Sequence, residues 1–206
     1  MAEYFEVHPK NPQMRLIHRC VDIIKQGGII AYPTDSSYAL ACHIGDKQAS
    51  DKIRRIRQLD DKHDLTLVCK DLAQVSQFTK IGNDAFRMIK ALTPGPFTFI
   101  LDATREVPRR LQHPKKKTIG IRIPDHPIAL ALLSALDEAM FSATLAMPDE
   151  QDALSDPYDI REQLDHELDA VIDAGIIEPE ETTIIEFTGN VPEIVRQGKG
   201  IATMLS

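Results

Sequence analysis

Residues 28–42, with the sequence GIIAYPTDSSYALAC, constrain the fold more than any other stretch of the chain. The apolar run at residues 29–32 predicts a buried strand, which ends at Pro33 because proline lacks the N–H that a sheet ladder requires. Polar and hydroxyl-bearing residues fill positions 34–38 before the chain becomes apolar again at 39–41. Enzymes of the α/β class present polar groups in this way at a sheet edge. An ordinary polar turn is the alternative interpretation.

The size and composition of the chain fit a folded, water-soluble domain. Of its 206 residues, 43% are apolar and 27% are charged, so that it can bury a substantial core. No apolar run approaches the roughly 20 residues that cross a bilayer, and we expect no membrane partner. Residues 1–13 are partly acidic and lack an apolar centre, so a secretory signal is not expected.

The three cysteines, Cys20, Cys42 and Cys69, lie far apart within apolar stretches. Their odd number and the absence of a CxxC pair argue against a disulfide framework. We therefore expect buried, reduced thiols in a cytoplasmic protein.

The charge of the chain is unevenly distributed. A net charge of −7 argues against a general nucleic-acid coat, but basic residues cluster near positions 54–57 and 105–117. A basic face on an acidic protein can bind phosphate or RNA. The candidate RNA-binding residues are Arg54, Arg55, Arg110, Lys115 and Lys116. A solvated charged surface is the alternative interpretation of both clusters.

Helical and strand patterns intermingle along the whole chain. Asn11 and Pro12 are typical of a helix N-cap and first turn, and apolar residues at helical spacing continue to a stop at Gly27. Further helices are predicted at 48–58, 71–78, 84–92, 127–136 and 157–167, and strands at 29–32, 65–69, 97–101, 118–123, 140–145, 169–173, 182–187 and 193–196.

This order of elements, without a linker or an internal repeat, predicts a single α/β domain over residues 1–206. Several strands adjoin without an intervening helix near the C-terminus. We therefore expect a mixed parallel and antiparallel sheet with flanking helices. The basic, proline-containing segment 104–117 is expected to be a mobile loop.

Several familiar catalytic motifs are absent from the sequence. It contains neither the GxxxxGK(S/T) motif of P-loop proteins nor the GxGxxG motif of dinucleotide-binding folds. It also lacks HExxH and GxSxG, and its seven histidines are scattered. We therefore predict no metal site in the protein.

Six polar segments adjoin the ends of predicted strands. They begin at Thr34, Arg57, Thr93, Arg122, Ser142 and Arg196. Together they supply hydroxyl groups, tight turns and three arginines, a combination that suits an anionic, phosphorylated ligand. No segment is decisive alone, because Arg122, for example, can simply pair with a nearby aspartate.

The order of the segments YPTDSSYAL, TPGPFT, RIPDHP, SAT, TTIIEFTG and RQGKG resembles the YrdC family, and most of all its YciO branch. The resemblance extends over residues 15–201. Members of the family make threonylcarbamoyl-AMP from L-threonine, bicarbonate and ATP for the t6A modification of tRNA. The resemblance implies a twisted mixed sheet around a concave, positively charged cavity, with ATP as a substrate that arrives with Mg²⁺.

The resemblance also implies roles for individual residues. Substrate-binding residues would be Thr34, Tyr38, Arg122 and Thr182, and nucleotide-binding residues would be Arg57, Ser142, Thr144 and Arg196. Arg122 would hold the threonine carboxylate. Attack of a carbamate on the α-phosphorus of ATP requires no protein nucleophile, but it requires positioning and charge neutralisation.

The sequence departs from the family pattern on the nucleotide side. The Lys-x-Arg signature falls on Arg57 and Leu59, so that its second charge is lost, with Lys62 or His63 as candidates to replace it. The Ser-x-Asn signature ends at Thr144, and the glycine of the first motif becomes Ala39. These changes suggest weakened or redirected adenylation.

Three functional hypotheses follow from the sequence. The first is a threonylcarbamoyl-AMP synthase with reduced efficiency or a changed acyl acceptor. The second is a paralogue that binds a nucleotide, tRNA or double-stranded RNA without efficient catalysis. The third is a structural or regulatory paralogue that retains only the vestige of a pocket.

Overall fold

A ten-stranded mixed sheet organises the protein in a computed structural model, which describes residues 1–60, 62–150, 152–189 and 191–203. The strands are β1 Glu3–Glu6, β2 Ile30–Pro33, β3 Tyr38–His43, β4 Thr66–Val68, β5 Phe97–Asp102, β6 Thr118–Arg122, β7 Met140–Thr144, β8 Ala170–Asp173, β9 Thr183–Glu186 and β10 Glu193–Arg196. Their order in the sheet is β1-β8-β2-β3-β7-β4-β6-β5-β9-β10.

Parallel and antiparallel pairs both occur in this sheet. The pairs β1–β8, β2–β8, β4–β6 and β5–β9 are parallel. The pairs β2–β3, β3–β7, β4–β7, β5–β6 and β9–β10 are antiparallel. The expectation of a mixed sheet within an α/β fold is therefore confirmed.

Helices cover both faces of the sheet. They are α1 Met14–Lys25, α2 Lys47–Ile56, α3 Leu72–Phe78, α4 Asn83–Leu92, α5 Pro127–Leu136 and α6 Pro157–Leu164, with a short 3₁₀ turn at Arg109–Leu111. Apolar residues of α1 and α5 share one core cluster, whereas those of α2, α3, α4 and α6 share the other. Each cluster includes alternate residues of β2 and β3, as expected for a sheet that is packed on both faces.

The structure corrects the sequence predictions near the N-terminus. Helix α1 begins after Gln13, not after Asn11, and the Gln13 side chain accepts a hydrogen bond from the His8 backbone instead of capping the helix. Strand β1 was not predicted because its partner β8 lies more than 160 residues away along the chain. Strand β3 was missed because five of its six residues are buried and give no alternating pattern.

The basic segment 104–117 is anchored to the core of the domain. Val107 and Leu111 are buried within the larger cluster. The Gln112 side-chain amide donates to the Val107 carbonyl at 2.8 Å, and the His113 N–H donates to the Thr118 carbonyl at 2.8 Å. The segment is thus tied down at several points, and its mobility stays a prediction.

Candidate functional site

A cavity of about 770 Å³ opens on one face of the sheet, beyond the area that α1 and α5 cover. Its floor is a row of directly paired residues that crosses five strands. The row runs through Ser142, Thr66, Gly120, Ile100 and Glu186. Directly paired residues share a face of the pleated sheet, so that this row can present hydroxyl groups to a ligand.

Gly120 lies at the centre of this floor and keeps it free of a side chain. A Cβ atom at this position would come within 2.9 Å of the Thr66 Oγ1 atom and 3.1 Å of the Leu65 carbonyl oxygen. Any larger residue would therefore displace β4 or fill the floor. The sequence pattern did not single out this glycine or Thr66 on the neighbouring strand β4.

The turn after β2 is held together by the side chain of Thr34. Its Oγ1 atom accepts hydrogen bonds from the N–H groups of Ser36 at 3.1 Å and Ser37 at 3.2 Å, and donates to the Ser37 carbonyl at 2.7 Å. Thr34 is buried and does not line the cavity, whereas Ser36 and Ser37 do. The hydroxyl of Thr34 thus forms the turn beside the cavity, and its role in substrate binding stays a prediction.

Tyr38 has a similar supporting position. Its hydroxyl donates to the Gly175 carbonyl at 2.8 Å and accepts from the Ala174 N–H at 3.0 Å. Burial raises the pKa of this phenol. Tyr38 does not line the cavity, and it instead fixes the start of the segment that carries Thr182 to the cavity wall. A role of Tyr38 in substrate binding also stays a prediction.

Arg122 lies at the end of β6, lines the cavity and is buried. Its Nη2 atom donates to Oδ1 of the Asp35 carboxylate at 2.6 Å. The Oδ2 atom of Asp35 accepts a hydrogen bond from the Asp125 N–H at 2.9 Å. The Nε atom of Arg122 is buried and has no hydrogen-bond partner among the described residues. The alternative that Arg122 pairs with a nearby aspartate is confirmed, but one donor remains unused.

Arg57 contributes a second guanidinium to the cavity from the end of α2. It is half-buried and donates to the Ala146 carbonyl, and its Nε atom has no partner within the described part of the chain. Burial lowers the pKa of this guanidinium, because the charged form loses hydration.

Leu59, Lys62 and His63 line the same part of the cavity as Arg57. The two residues proposed to replace the missing charge of Leu59 are thus within the site. Partial desolvation and the positive charge of Arg57 lower the pKa of His63. This shift favours neutral imidazole at neutral pH, so that Lys62 is the more suitable source of a permanent positive charge.

Strand β7 presents Ser142 to the cavity, and the hydroxyl of Tyr32 on β2 forms a hydrogen bond with the Ser142 hydroxyl. The two hydroxyl oxygens are 2.8 Å apart. Burial raises the pKa of Tyr32 to about 12, so that the phenol keeps its proton. Thr144 lies two residues further along β7, lines the cavity and is exposed.

Arg196 and Thr182 form the wall contributed by the C-terminal strands. Arg196 donates to the Thr182 carbonyl from Nε at 3.1 Å and from Nη2 at 2.9 Å, and to Glu181 from Nη1 at 3.0 Å. The Thr182 hydroxyl is 2.7 Å from the hydroxyl of Thr98 on β5. The predicted segments TPGPFT, TTIIEFTG and RQGKG, which contain Thr98, Thr182 and Arg196, therefore meet at the cavity.

The charges that line the cavity nearly balance. The cations are Arg57, Lys62, Arg122 and Arg196, and the anions are Asp64, Asp152, Glu180, Glu181 and Glu186. The expectation of a positively charged cavity is therefore wrong for its described lining. Four of these acids, Asp152, Glu180, Glu181 and Glu186, lie in the last third of the chain. Tertiary folding brings them to the wall.

A family assignment agrees with this arrangement of segments. The model of the Sua5/YciO/YrdC family, described as Telomere recombination, matches residues 22–198. The chain belongs to the Sua5/YciO/YrdC family.

Relatives within the family include YciO proteins and threonylcarbamoyl-AMP synthases. The YciO protein of Escherichia coli (strain K12) is 49% identical over 200 residues, which cover 97% of each chain. A threonylcarbamoyl-AMP synthase of Chromobacterium violaceum is 33% identical over 137 residues, or 66% of this chain and 70% of the relative. The crystal structure of E. coli YciO superposes with a TM-score of 0.94 and covers 98% of each chain.

The basic clusters of this Sua5/YciO/YrdC chain lie in different environments. Arg55, Lys115 and Lys116 are exposed, and Lys116 forms an ion pair with Glu186 at 3.5 Å. Arg54 is half-buried on α2. These four residues remain candidates for RNA contact.

Arg110 has a structural position that the sequence did not reveal. It is half-buried, and its Nη2 atom donates to the Ile44 carbonyl at 2.7 Å. Its Nε atom is 3.4 Å from the Ser50 hydroxyl on α2. These donors tie the segment 104–117 to the loop before α2 and to the helix itself, and RNA contact by Arg110 stays a prediction.

Three other properties concern the described residues as a whole. Among them, no three histidine, cysteine, aspartate or glutamate side chains are grouped so that they could hold a metal ion. None of the described helices has the length and apolar content needed to cross a membrane. Cys20, Cys42 and Cys69 are buried and free, as expected.

Proposed function

We propose that the protein forms threonylcarbamoyl-AMP and pyrophosphate from L-threonine, bicarbonate and ATP, at a rate reduced by its altered nucleotide-binding segments. One observation carries this proposal. Six of the eight substrate- and nucleotide-binding residues expected from the sequence line one cavity. They are Arg57, Arg122, Ser142, Thr144, Thr182 and Arg196. Their separation along the chain makes this convergence a property of the fold.

The proposed reaction suits a site without a nucleophilic side chain. A carbamate oxygen of N-carboxythreonine would attack the α-phosphorus of ATP. The new P–O bond replaces the bond to pyrophosphate, which leaves with its negative charge. The protein has to align the carbamate with the phosphorus and to stabilise charge on the phosphate oxygens.

The available donors divide between the two substrates. The unused Nε of Arg122 would bind the threonine carboxylate, and Arg57 would bind phosphate oxygens. A Tyr32 hydroxyl that donates to Ser142 leaves the Ser142 proton free for a phosphate oxygen. Mg²⁺ would arrive with the ATP phosphates, since the described residues offer no preformed metal cluster.

The altered segments account for a reduced rate. Leu59 lines the cavity where a second guanidinium would otherwise reach the phosphates. A charge-assisted hydrogen bond contributes about 1.5–3 kcal/mol, so that its absence weakens transition-state binding by about 10- to 150-fold. Lys62 would compensate in part, because a lysine is a point charge without the planar fork of arginine.

The test is a pyrophosphate-release assay with purified protein, ATP, L-threonine, bicarbonate and Mg²⁺, together with direct detection of threonylcarbamoyl-AMP. We expect product only when threonine and bicarbonate are both present. Ser142→Ala should lower the rate and Arg122→Ala should abolish it. Pyrophosphate release that is independent of threonine, or no release at high enzyme concentration, would contradict the proposed activity.

A further inference from the structure

The three arginines of the cavity differ in their internal counter-ions. Arg122 contacts Asp35 at 2.6 Å, and Arg196 contacts Glu181 at 3.0 Å. Among the described residues, no carboxylate forms such an ion pair with Arg57. The positive charge of Arg122 is therefore largely neutralised before any ligand binds, whereas Arg57 has no directly bonded carboxylate among the described residues.

Asp35 is fixed in its position beside Arg122. Both side chains are only 9% exposed, and the second Asp35 oxygen accepts from the Asp125 N–H at 2.9 Å. The Lys199 ammonium donates to the Asp35 carbonyl oxygen at 2.8 Å, which holds the backbone of the turn. Movement of the carboxylate would leave the buried Arg122 donor and the Asp125 N–H without their acceptor, which is costly for the buried guanidinium. Asp35 therefore stays in place when a ligand enters.

The fixed carboxylate leaves a defined part of Arg122 for a ligand. Asp35 occupies Nη2, while Nε is buried without a partner among the described residues. Because the ion pair is nearly neutral, an incoming anion gains directional hydrogen bonds from Arg122 but little net attraction. A ligand with several negative charges is also repelled by Asp35.

We propose that Asp35 is a positioning and selectivity residue, which aims Arg122 at a monoanionic carboxylate and directs the polyphosphate toward Arg57. This inference rests on the proposed function, because it assigns the two ends of its substrates to two arginines. Asp35 acts through Arg122 and through the local charge, and it does not contact the reacting atoms.

Isothermal titration calorimetry tests the proposal, with L-threonine and inorganic pyrophosphate as separate probes. In Asp35→Asn, Arg122 loses its fixed partner and the local charge becomes positive. We expect L-threonine to bind at least about fivefold more weakly while pyrophosphate binds equally or more tightly, as one unit of charge has been removed. Asp125→Asn is the matched control, since it removes an exposed neighbouring charge and keeps the backbone donor. The ratio of the L-threonine and pyrophosphate affinities of Asp125→Asn should equal that of the wild-type protein.

A second measurement needs only the wild-type protein and so does not depend on the folding of a variant. Saturating pyrophosphate should leave the affinity for L-threonine unchanged within about twofold, because the two probes occupy different arginines. Competition between them, tighter threonine binding by Asp35→Asn, an equal change for both probes or no threonine binding by wild type would each overturn the inference.

The outcomes also separate this inference from the proposed activity. Selective binding that changes as expected in Asp35→Asn, but without pyrophosphate release from ATP, would leave the inference intact and remove the proposed activity. Pyrophosphate release together with unchanged selectivity in Asp35→Asn would do the reverse.

Discussion

At the Arg122 side of the cavity (Asp35, Arg122 and Asp125) the Asp35–Arg122 ion pair is buried, and a hydrogen bond from the Asp125 N–H to Asp35 fixes it. At the Arg57 side (Arg57, Leu59, Lys62 and His63) the side chains are half-buried or exposed, and a backbone carbonyl takes the place of a carboxylate. The first side is built into the sheet through β6, whereas the second follows α2.

This difference indicates how the two sides can evolve. A change at the Arg122 side disturbs a buried ion pair and therefore the stability of the fold. A change at the Arg57 side alters ligand binding and affects the packing of the core through Leu59, which contacts the larger cluster. The departure from the family pattern at Leu59 lies on the Arg57 side, whereas those at Ala39 and Thr144 lie on strands β3 and β7 of the sheet.

The largest expected effect comes from removal of Arg122. Arg122→Ala leaves the buried Asp35 carboxylate without its partner and should lower the free energy of unfolding by about 3–5 kcal/mol. Urea denaturation measures this change. The double variant Arg122→Ala with Asp35→Ala should recover part of the stability but no threonine binding. A single variant within about 1 kcal/mol of wild type would show that the ion pair is not a structural element.

Removal of Arg57 should instead affect binding more than stability. Arg57→Gln removes a charged donor from the cavity, and we expect pyrophosphate to bind about 10- to 100-fold more weakly. The midpoint of thermal unfolding should stay the same or rise, since a desolvated charge is also removed. Calorimetry and a thermal melt provide the two readouts.

Arg55→Gln is the control for this prediction, because Arg55 is an exposed arginine on the same helix. If both variants weaken pyrophosphate binding equally, general charge and not a specific contact determines affinity.

A gain of function should follow from restoring a guanidinium at position 59. Leu59→Arg adds a charge-assisted donor beside Arg57. Ordering the long side chain costs conformational entropy, which offsets part of this gain, so we expect pyrophosphate to bind about tenfold more tightly. Leu59→Met keeps the apolar character and a similar volume, and its affinity should match that of wild type. Equal affinity in all three proteins would indicate that Lys62 already supplies the missing charge.

The smallest effect concerns the pH dependence of stability near the Arg122 side. The Nδ1 atom of His126 accepts a hydrogen bond from the Ile128 N–H at the start of α5. Desolvation lowers the pKa of this imidazole below its usual value of 6.5. The stability that neutral His126 contributes to the folded protein is therefore complete above about pH 6.5, and it decreases as the pH falls below that value.

His126→Asn should reduce this acid sensitivity, because an asparagine oxygen can cap the helix without titrating. Thermal melts from pH 7.5 to about pH 5 measure the difference between the two proteins. Parallel pH profiles for the two proteins would exclude His126 as a contributor.

The course of the chain was largely predictable from the sequence. Residues 127–136 were assigned to a helix with the same bounds as α5, and residues 193–196 to a strand with the bounds of β10. Local periodicity and the turn residues at the ends of these elements account for this agreement. Local periodicity did not reveal β3, because a strand that is buried on both faces lacks an alternation of polar and apolar residues.

Contacts between distant segments decided the rest of the site. The sequence motifs named Arg57, Arg122, Ser142 and Arg196, all of which line the cavity. The Tyr38 hydroxyl, by contrast, forms hydrogen bonds with the backbone of Ala174 and Gly175, which lie about 137 positions further along the chain.

The sequence by itself determined the α/β class, the order of most elements and the polar segments that adjoin the strand ends, because each depends on neighbouring residues. Only the tertiary structure decided that Asp35 neutralises Arg122 and that Glu181 neutralises Arg196. Electrostatic interactions depend on distance in space and not on separation along the chain, so that the charge of the cavity is a property of the folded protein.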